Sequence, residues 1–434
     1  MQVFRAALFH LLDDPADAGA DAYAYHDDGL LVVDDGLVVA AGPAADVQPT
    51  LPPDTPVIAF PGGLIVPGFV DTHIHYPQVD VIAAHGTRLM DWLDRYTFPA
   101  EAAFADPAHA ADTARFFLDE LLRNGTTTAL VFGTVHKGSV DALFKQALAR
   151  NMRLIAGKVL MDRNAPADLL DTPDSGYADS RALIETWHGR GRLGYAVTPR
   201  FAPTSSDRQL ELAGRLLAEF DDIALHTHLS ENPDEIAAVA ELFPDARDYL
   251  DVYDRFGLLT GRSVFAHGIH LSDDAFARLA GAGAALAFCP TSNLFLGSGL
   301  FSLADARRHR VTVGLGTDVG GGTSFSLLQT MNEAYKVCQL RHSDLDPVTS
   351  FYLATLGGAR ALNLDRRIGN FLPGKEADFL VLDPAATPLL ERRMAACTSL
   401  DERLFALAIL GDDRVVRHTY LAGALAHSRE QRLS

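Results

Sequence analysis

Two histidines one residue apart, His73 and His75, follow the apolar run 65–70, which passes through Pro67-Gly68 and ends at Val70. In extended chain, residues two apart project to the same side. Both imidazoles can therefore reach one point at the Zn–N bond length of roughly 2.0–2.1 Å. His-x-His also arises by chance, and the weight comes from three later stretches that repeat the design. The run 223–228 ends in His226 and His228, followed by Glu231; 263–267 ends in His267; 311–316 leads into Thr317-Asp318. Three imidazoles and one carboxylate leave a zinc or iron ion room for a water that can be deprotonated near neutral pH. Blander readings stand beside this one. A lone strand histidine often only packs in a core, Asp318 suits a turn, and Glu231 suits the start of a helix at Asn232-Pro233-Asp234-Glu235. The two readings of Glu231 are compatible.

These residues need a scaffold that brings strand ends together. Apolar strand candidates lie at 127–132, 154–160, 194–199, 223–228, 263–267, 284–289 and 311–316, in addition to the opening run. Ala- and Leu-rich helical patterns separate most of them, at 107–124, 139–151, 207–220, 232–243 and 273–282. Eight strand–helix units suit a closed parallel barrel, whose functional residues sit at the C-terminal strand ends. A doubly wound open sheet lacks support, because no G-x-G-x-x-G follows the first strand. Short β-prone runs with turn signals fill the first 60 or so residues, and the same texture returns at 371–382 and 415–421. The fold expected is α/β: a (β/α)8 TIM-like barrel over 67–370, plus a small β-sandwich module built from both chain termini, 1–66 with 371–434. Gly320-Gly321-Gly322 lacks the Lys-Ser/Thr of a phosphate loop and reads as a flexible barrel loop.

Composition narrows the partners. Of 434 residues, 48% are hydrophobic and 21% charged, ordinary for a globular protein. The net charge, 37 − 56 = −19, repels nucleic acid and anionic membranes, so neither is expected as a partner. Cys289, Cys338 and Cys397 are odd in number and widely spaced, which argues against a disulfide framework and a cysteine-rich zinc site. No basic segment leads into an apolar run at the N-terminus, and no run approaches the ~20 apolar residues of a membrane span. A soluble, cytoplasmic protein is expected.

The residues Pro67-Gly68-Phe69-Val70-Asp71-Thr72-His73-Ile74-His75, His228-x-Ser230-Glu231, His267 and Gly316-Thr317-Asp318 together resemble the amidohydrolase superfamily in its metal-dependent deaminase branch. Within that branch the chain is similar to the guanine deaminase family, through His75-Tyr76-Pro77-Gln78, Thr198-Pro199-Arg200-Phe201, the stretch 292–301 and the stretch 401–407. The resemblance runs nearly end to end. It implies one zinc per chain on His73, His75, His228 and Asp318, with His267 on the water and Glu231 and Asp318 moving protons. It places substrate contacts on Gln78, Arg200 and Phe201, and it implies hydrolysis of guanine to xanthine and ammonia by a homodimer. The strand at 194–199 carries no lysine, the residue that bridges two metals in other members, so one metal is expected; Lys158, a strand earlier, reads as structural or supporting. A role for His226 stays open. Rival readings are a sister hydrolase of another aminated purine, pterin or triazine, or a barrel kept as a scaffold.

Overall fold

The computed structural model describes residues 1–85 and 89–430. Positions 431–434 of the expected terminal module and 86–88 of the expected barrel segment lie outside the described residues. The chain opens with β1 (Gln2–Leu11), β2 (Tyr23–Asp34), β3 (Leu37–Pro43) and β4 (Val57–Pro67). Asp35 and Gly36 join β2 to β3 with φ of 48° and 77°, the two positive angles that a tight two-residue hairpin requires.

The apolar run 65–70, read as one strand, is divided. Pro67-Gly68 ends β4 and starts β5 (Phe69–His75) in a different sheet, and the two histidines lie within the second strand rather than past its end. Gly68 is required here because a Cβ would sit 2.1 Å from Thr127 Oγ1. The barrel continues through β6 (Thr126–Phe132), β7 (Arg153–Gly157), β8 (Val159–Leu160), β9 (Leu193–Pro199), β10 (Ala224–Leu229), β11 (Ser263–His267), β12 (Ala285–Phe288) and β13 (Thr312–Leu315). All neighbours along β5-β6-β7-β9-β10-β11-β12-β13 pair in parallel, and the short β8 extends the pairing to β9. One strand was expected over 154–160; it breaks at Lys158, which is buried and turns away to donate to Asp171. The five expected helices form, at Pro107–Arg123, Lys137–Ala149, Asp207–Glu219, Pro233–Leu242 and Asp273–Ala282.

The first and last strands are tied just above β13. Asp318 N–H donates to His73 O at 2.9 Å and His75 N–H to Val319 O at 2.9 Å. Asp71, fully buried, clasps the same seam by accepting from the Thr317 hydroxyl and amide and from the His73 amide. Inward side chains of Val70, Leu130, Ile155, Ala196, Val264 and Ala285 fill the lower barrel, so the open end is the one carrying the histidines.

After the barrel, β14 (Phe379–Leu382), β15 (Val416–Leu421) and β16 (Ala424–Ser428) return to the terminal sheet in the order β16-β15-β14-β4-β1-β2-β3. Register shifts interrupt the pairing of β1 with both β2 and β4, as a bulge does, and the strands expected as a sandwich form one seven-stranded sheet. Phe4 is its centre, with ring centroids 4.8 Å from Phe379 and 5.1 Å from Tyr420. The other face, through Phe9 and Val66, joins the main core against the barrel helices.

His10 on β1 is buried against Phe371 and accepts its amide N–H at 3.4 Å. Burial, helped by the nearby charges of His26 and Lys375, lowers its pKa from 6.5 to about 4. Between those values the unfolded chain holds the extra proton. Stability present above pH 6.5 therefore falls on acidification by up to about 1.4 kcal/mol per pH unit, and this loss is complete below about 4. His10→Asn keeps an acceptor for the Phe371 amide but does not titrate. Denaturant unfolding across this window should give a shallower slope for the variant than for the wild type; equal slopes would remove His10 as the source.

Candidate active site

Four strand ends bring histidine or aspartate to the barrel mouth. His73 and His75 come from β5, His226 and His228 from β10, and His267 ends β11; Asp318 follows β13. Ser230, His267 and Asp318 adopt φ of 48°, 71° and 51°. Left-handed conformations are uncommon outside glycine and cluster at functional strand ends.

Hydrogen bonds orient the rings. His228 Nδ1 donates to Arg200 O at 2.8 Å, and His267 Nδ1 donates to Asn293 Oδ1 at 2.8 Å. His73 Nδ1 meets His226 Nε2 at 2.7 Å, which puts a proton between the two rings. With Nδ1 engaged, the Nε2 atoms of His73, His228 and His267 are left to face inward. One donor atom from each of His73, His228, His267 and Asp318 falls within 4.8 Å of all the others. His75 joins them, with Nε2 at 3.2 Å from His73 Nε2 and 3.3 Å from Asp318 Oδ1; His73 Nε2 to Asp318 Oδ1 is 3.1 Å. Bonds of roughly 2.0 Å arranged tetrahedrally separate ligand atoms by about 3.3 Å. The spacing and the donor types suit a divalent metal.

The protonation states suit it too. Burial lowers the pKa of His73, of His75 to about 3, and of His226 and His228 well below the ordinary value, leaving neutral imidazoles. Burial acts the other way on Asp318, but the imidazoles beside it, His73 first, outweigh that and keep the carboxylate ionised.

Glu231 is a carboxyl of the opposite kind. Burial first, then repulsion from Asp318, raises its pKa to about 8 against the lowering effect of the Ser298 hydrogen bond. Its Oε2 lies 3.4 Å from His267 Nε2, and its Oε1 accepts from Ser298 Oγ at 3.0 Å. The helix-start reading falls to Glu235 instead, which closes the capping box with Asn232 at the head of Pro233–Leu242 and accepts the Glu231 amide. A buried acid and an ionised carboxylate thus share one mouth, an arrangement suited to donating one proton and accepting another.

Above the cluster lies a small cavity lined by His75, Gln78, Leu89, Trp92, Leu93, Arg200, Phe201, His228, Glu231, His267, Leu296, Asp318 and Gly321. Every site residue expected from the sequence is at this mouth, and Gln78, Arg200 and Phe201 form the wall facing the metal-type cluster. Arg200 is buried and ion-paired, with Nη1 at 2.8 Å from Glu101. Lys158 does not line the cavity. Gly320-Gly321-Gly322, expected to be a flexible loop, is instead a buried turn; its Gly320 amide donates to Gln78 Oε1 at 3.1 Å, and a Cβ on Gly322 would strike Thr317 O at 1.8 Å. Sequence reasoning gave no role to Glu101, Asn293, Ser298 or Asp71. Asn293 and Ser298 stand in the stretch 292–301 that carries the resemblance, and Asp71 two residues before His73; Glu101 carried no signal at all.

The Amidohydrolase family profile matches residues 64–426. Guanine deaminase of Escherichia coli (strain K12) is 53% identical over 418 residues, covering 96% of this chain and 95% of its own. The solved E. coli guanine deaminase superposes with a TM-score of 0.96 at 52% identity, over 99% of this chain and 100% of the other. Guanine deaminase from C. acetobutylicum, solved with bound guanine in the active site, gives 0.88 at 28% identity over 98% and 99%. Matches of this length take in the terminal sheet, the barrel and its mouth together, and on them the chain belongs to the amidohydrolase family, grouped with its guanine deaminases.

Proposed function

We propose that the chain catalyses hydrolytic deamination of guanine to xanthine and ammonia, a step of purine catabolism or salvage. The observation that carries the reaction type is Glu231, a carboxyl raised to about 8 and set 3.4 Å from His267 Nε2, in the same cavity as ionised Asp318. The substrate is supported by the guanine deaminases that match the chain end to end.

The finer reading takes His73, His75, His228 and Asp318 as the ligands of one zinc per chain. Imidazole and carboxylate donors without cysteine suit that ion, which when bound supplies an acidified water and polarises the reacting centre. His267, its ring fixed through Asn293, would hydrogen-bond such a water. Carbon 2 of guanine is a poor electrophile until a ring nitrogen beside it is protonated, and protonated Glu231 is the donor. Asp318 would take one proton of the attacking water and pass it to the departing amine, while the water's second proton returns to Glu231, so guanine and water become xanthine and ammonia. Arg200 donates to the purine carbonyl, Gln78 offers both a donor and an acceptor to the ring edge, and Phe201 packs on its face. A cytoplasmic homodimer completes the reading. The unpaired cysteines fit a reducing compartment, and the dimer rests on the resemblance alone.

An ultraviolet assay of zinc-loaded protein with guanine, scoring xanthine and ammonia against a chelated control, tests the reading. Chelator-sensitive turnover is the expected result. A zinc-loaded protein that leaves guanine intact would overturn the substrate and direct the search to other aminated purines, pterins and triazines.

A further inference from the structure

Glu101 sits in the helix Phe98–Ala102 with none of its side chain exposed, and it joins the two residues assigned to the purine edge. Arg200 Nη1 donates to both of its oxygens, at 2.9 and 2.8 Å, and Gln78 Nε2 donates to Oε1 at 3.2 Å. On its other side Gln78 Oε1 accepts the Gly320 amide at 3.1 Å. An ionised carboxylate only accepts and a peptide N–H only donates, so these two contacts fix which way the Gln78 amide faces. Both Arg200 contacts run from the one nitrogen to the two oxygens of a single carboxylate, so Glu101 takes one Nη1 proton, shared between its oxygens. The Phe98 ring lies 5.4 Å from the guanidinium carbon and covers one face of that group. What the Arg200 side chain has left to offer is its remaining in-plane N–H bonds.

We propose that Glu101 is the positioning residue that sets substrate specificity: by holding Arg200 and Gln78 in one orientation it presents N–H donors that select a purine with a carbonyl at carbon 6. It also supplies the negative charge that balances the buried guanidinium, so that Arg200 binds a neutral carbonyl without requiring an anionic ligand. A 2-aminopurine carries the same amine to be removed but no carbonyl. It should lose the contact that Glu101 organises. This inference rests on the guanine reading for its substrate and on the pocket geometry for everything else.

Glu101→Gln keeps the shape and removes the charge. For metal-loaded protein, kcat/KM on guanine should fall about 10- to 100-fold, the size expected for loss of a charge-assisted hydrogen bond, and mainly through KM. The loss on 2-aminopurine should be about threefold or less, so the preference for guanine collapses while metal content stays normal. In an Arg200→Ala background the same substitution should change that preference by less than about threefold, because its intermediary is gone. Equal losses on both purines, or an undiminished effect without Arg200, would overturn the proposal. If Glu101→Gln fails to fold, Glu101→Asp, with the charge kept and the reach shortened, is read the same way. A crystal structure of the ligand-free variant reads the geometry independently of any substrate: a displaced Arg200 or a rotated Gln78 amide supports the inference, and both unmoved would refute it. Absence of guanine turnover by the wild type would remove the substrate reading, and this structural arm would still decide the role of Glu101.

Discussion

Glu231→Gln keeps its metal and loses turnover, with kcat lower by about 10²- to 10⁴-fold, the contribution of a positioned acid–base group. The amide matches the carboxyl in size and can still accept from Ser298, but it has no proton to transfer. The wild-type group is suited to the task because burial and the charge on Asp318 hold its pKa at about 8. Its acid form is the working form, so kcat should hold on the acidic side and decline as pH rises through about 8. Metal content and kcat measured on the same preparation check the prediction; full turnover at normal metal content would remove Glu231 from the proton path.

Asp318→Asn is expected to do the reverse in one respect and lose the metal as well. The carboxylate stands 3.1 and 3.3 Å from the inward nitrogens of His73 and His75, and its second oxygen is 3.7 Å from His267 Nε2. A neutral amide supplies no charge to the ion and no base for the water. Asparagine tolerates the left-handed backbone at this position, φ 51°, and keeps the amide that donates to His73 O, so the fold should persist. Zinc-to-protein ratio should fall well below one and kcat by at least about 10²-fold. A variant that binds zinc as the wild type does would refute the ligand assignment, whatever its activity. The pair of variants separates the two carboxylates: one moves protons beside a retained metal, the other is needed to retain it.

What could be read from the chain was what local pattern encodes. Four barrel strands, β5, β10, β11 and β13, are short apolar runs that end in or lead into histidine or aspartate, so those strands and the polar residues at their ends were legible together. His73 and His75 were placed just after their strand rather than within it, because Pro67-Gly68 looked like a turn opening a single run; in the structure it passes the chain from one sheet to another. The glycine triplet looked flexible because composition cannot show that Thr317 and Gln78 pack against it. Glu101 was out of reach for the same reason. Its partner Arg200 is 99 residues away, and a lone glutamate after Phe98-Pro99 looks like any acidic residue near a helix start. Asp71 meets Thr317 across 246 residues, a contact that no periodicity announces.

That last contact has a consequence for how the molecule comes to be active. The clasp between Asp71 and Thr317, and the amides linking His73 to Asp318, join the earliest strand of the barrel to the latest. Pairings so distant along the chain are entropically awkward and belong to the slow end of assembly. The donor atoms come from both sides of that join. A ribosome-bound or half-assembled chain therefore holds only some of these donor atoms, and the cluster is complete only when the ring of strands shuts.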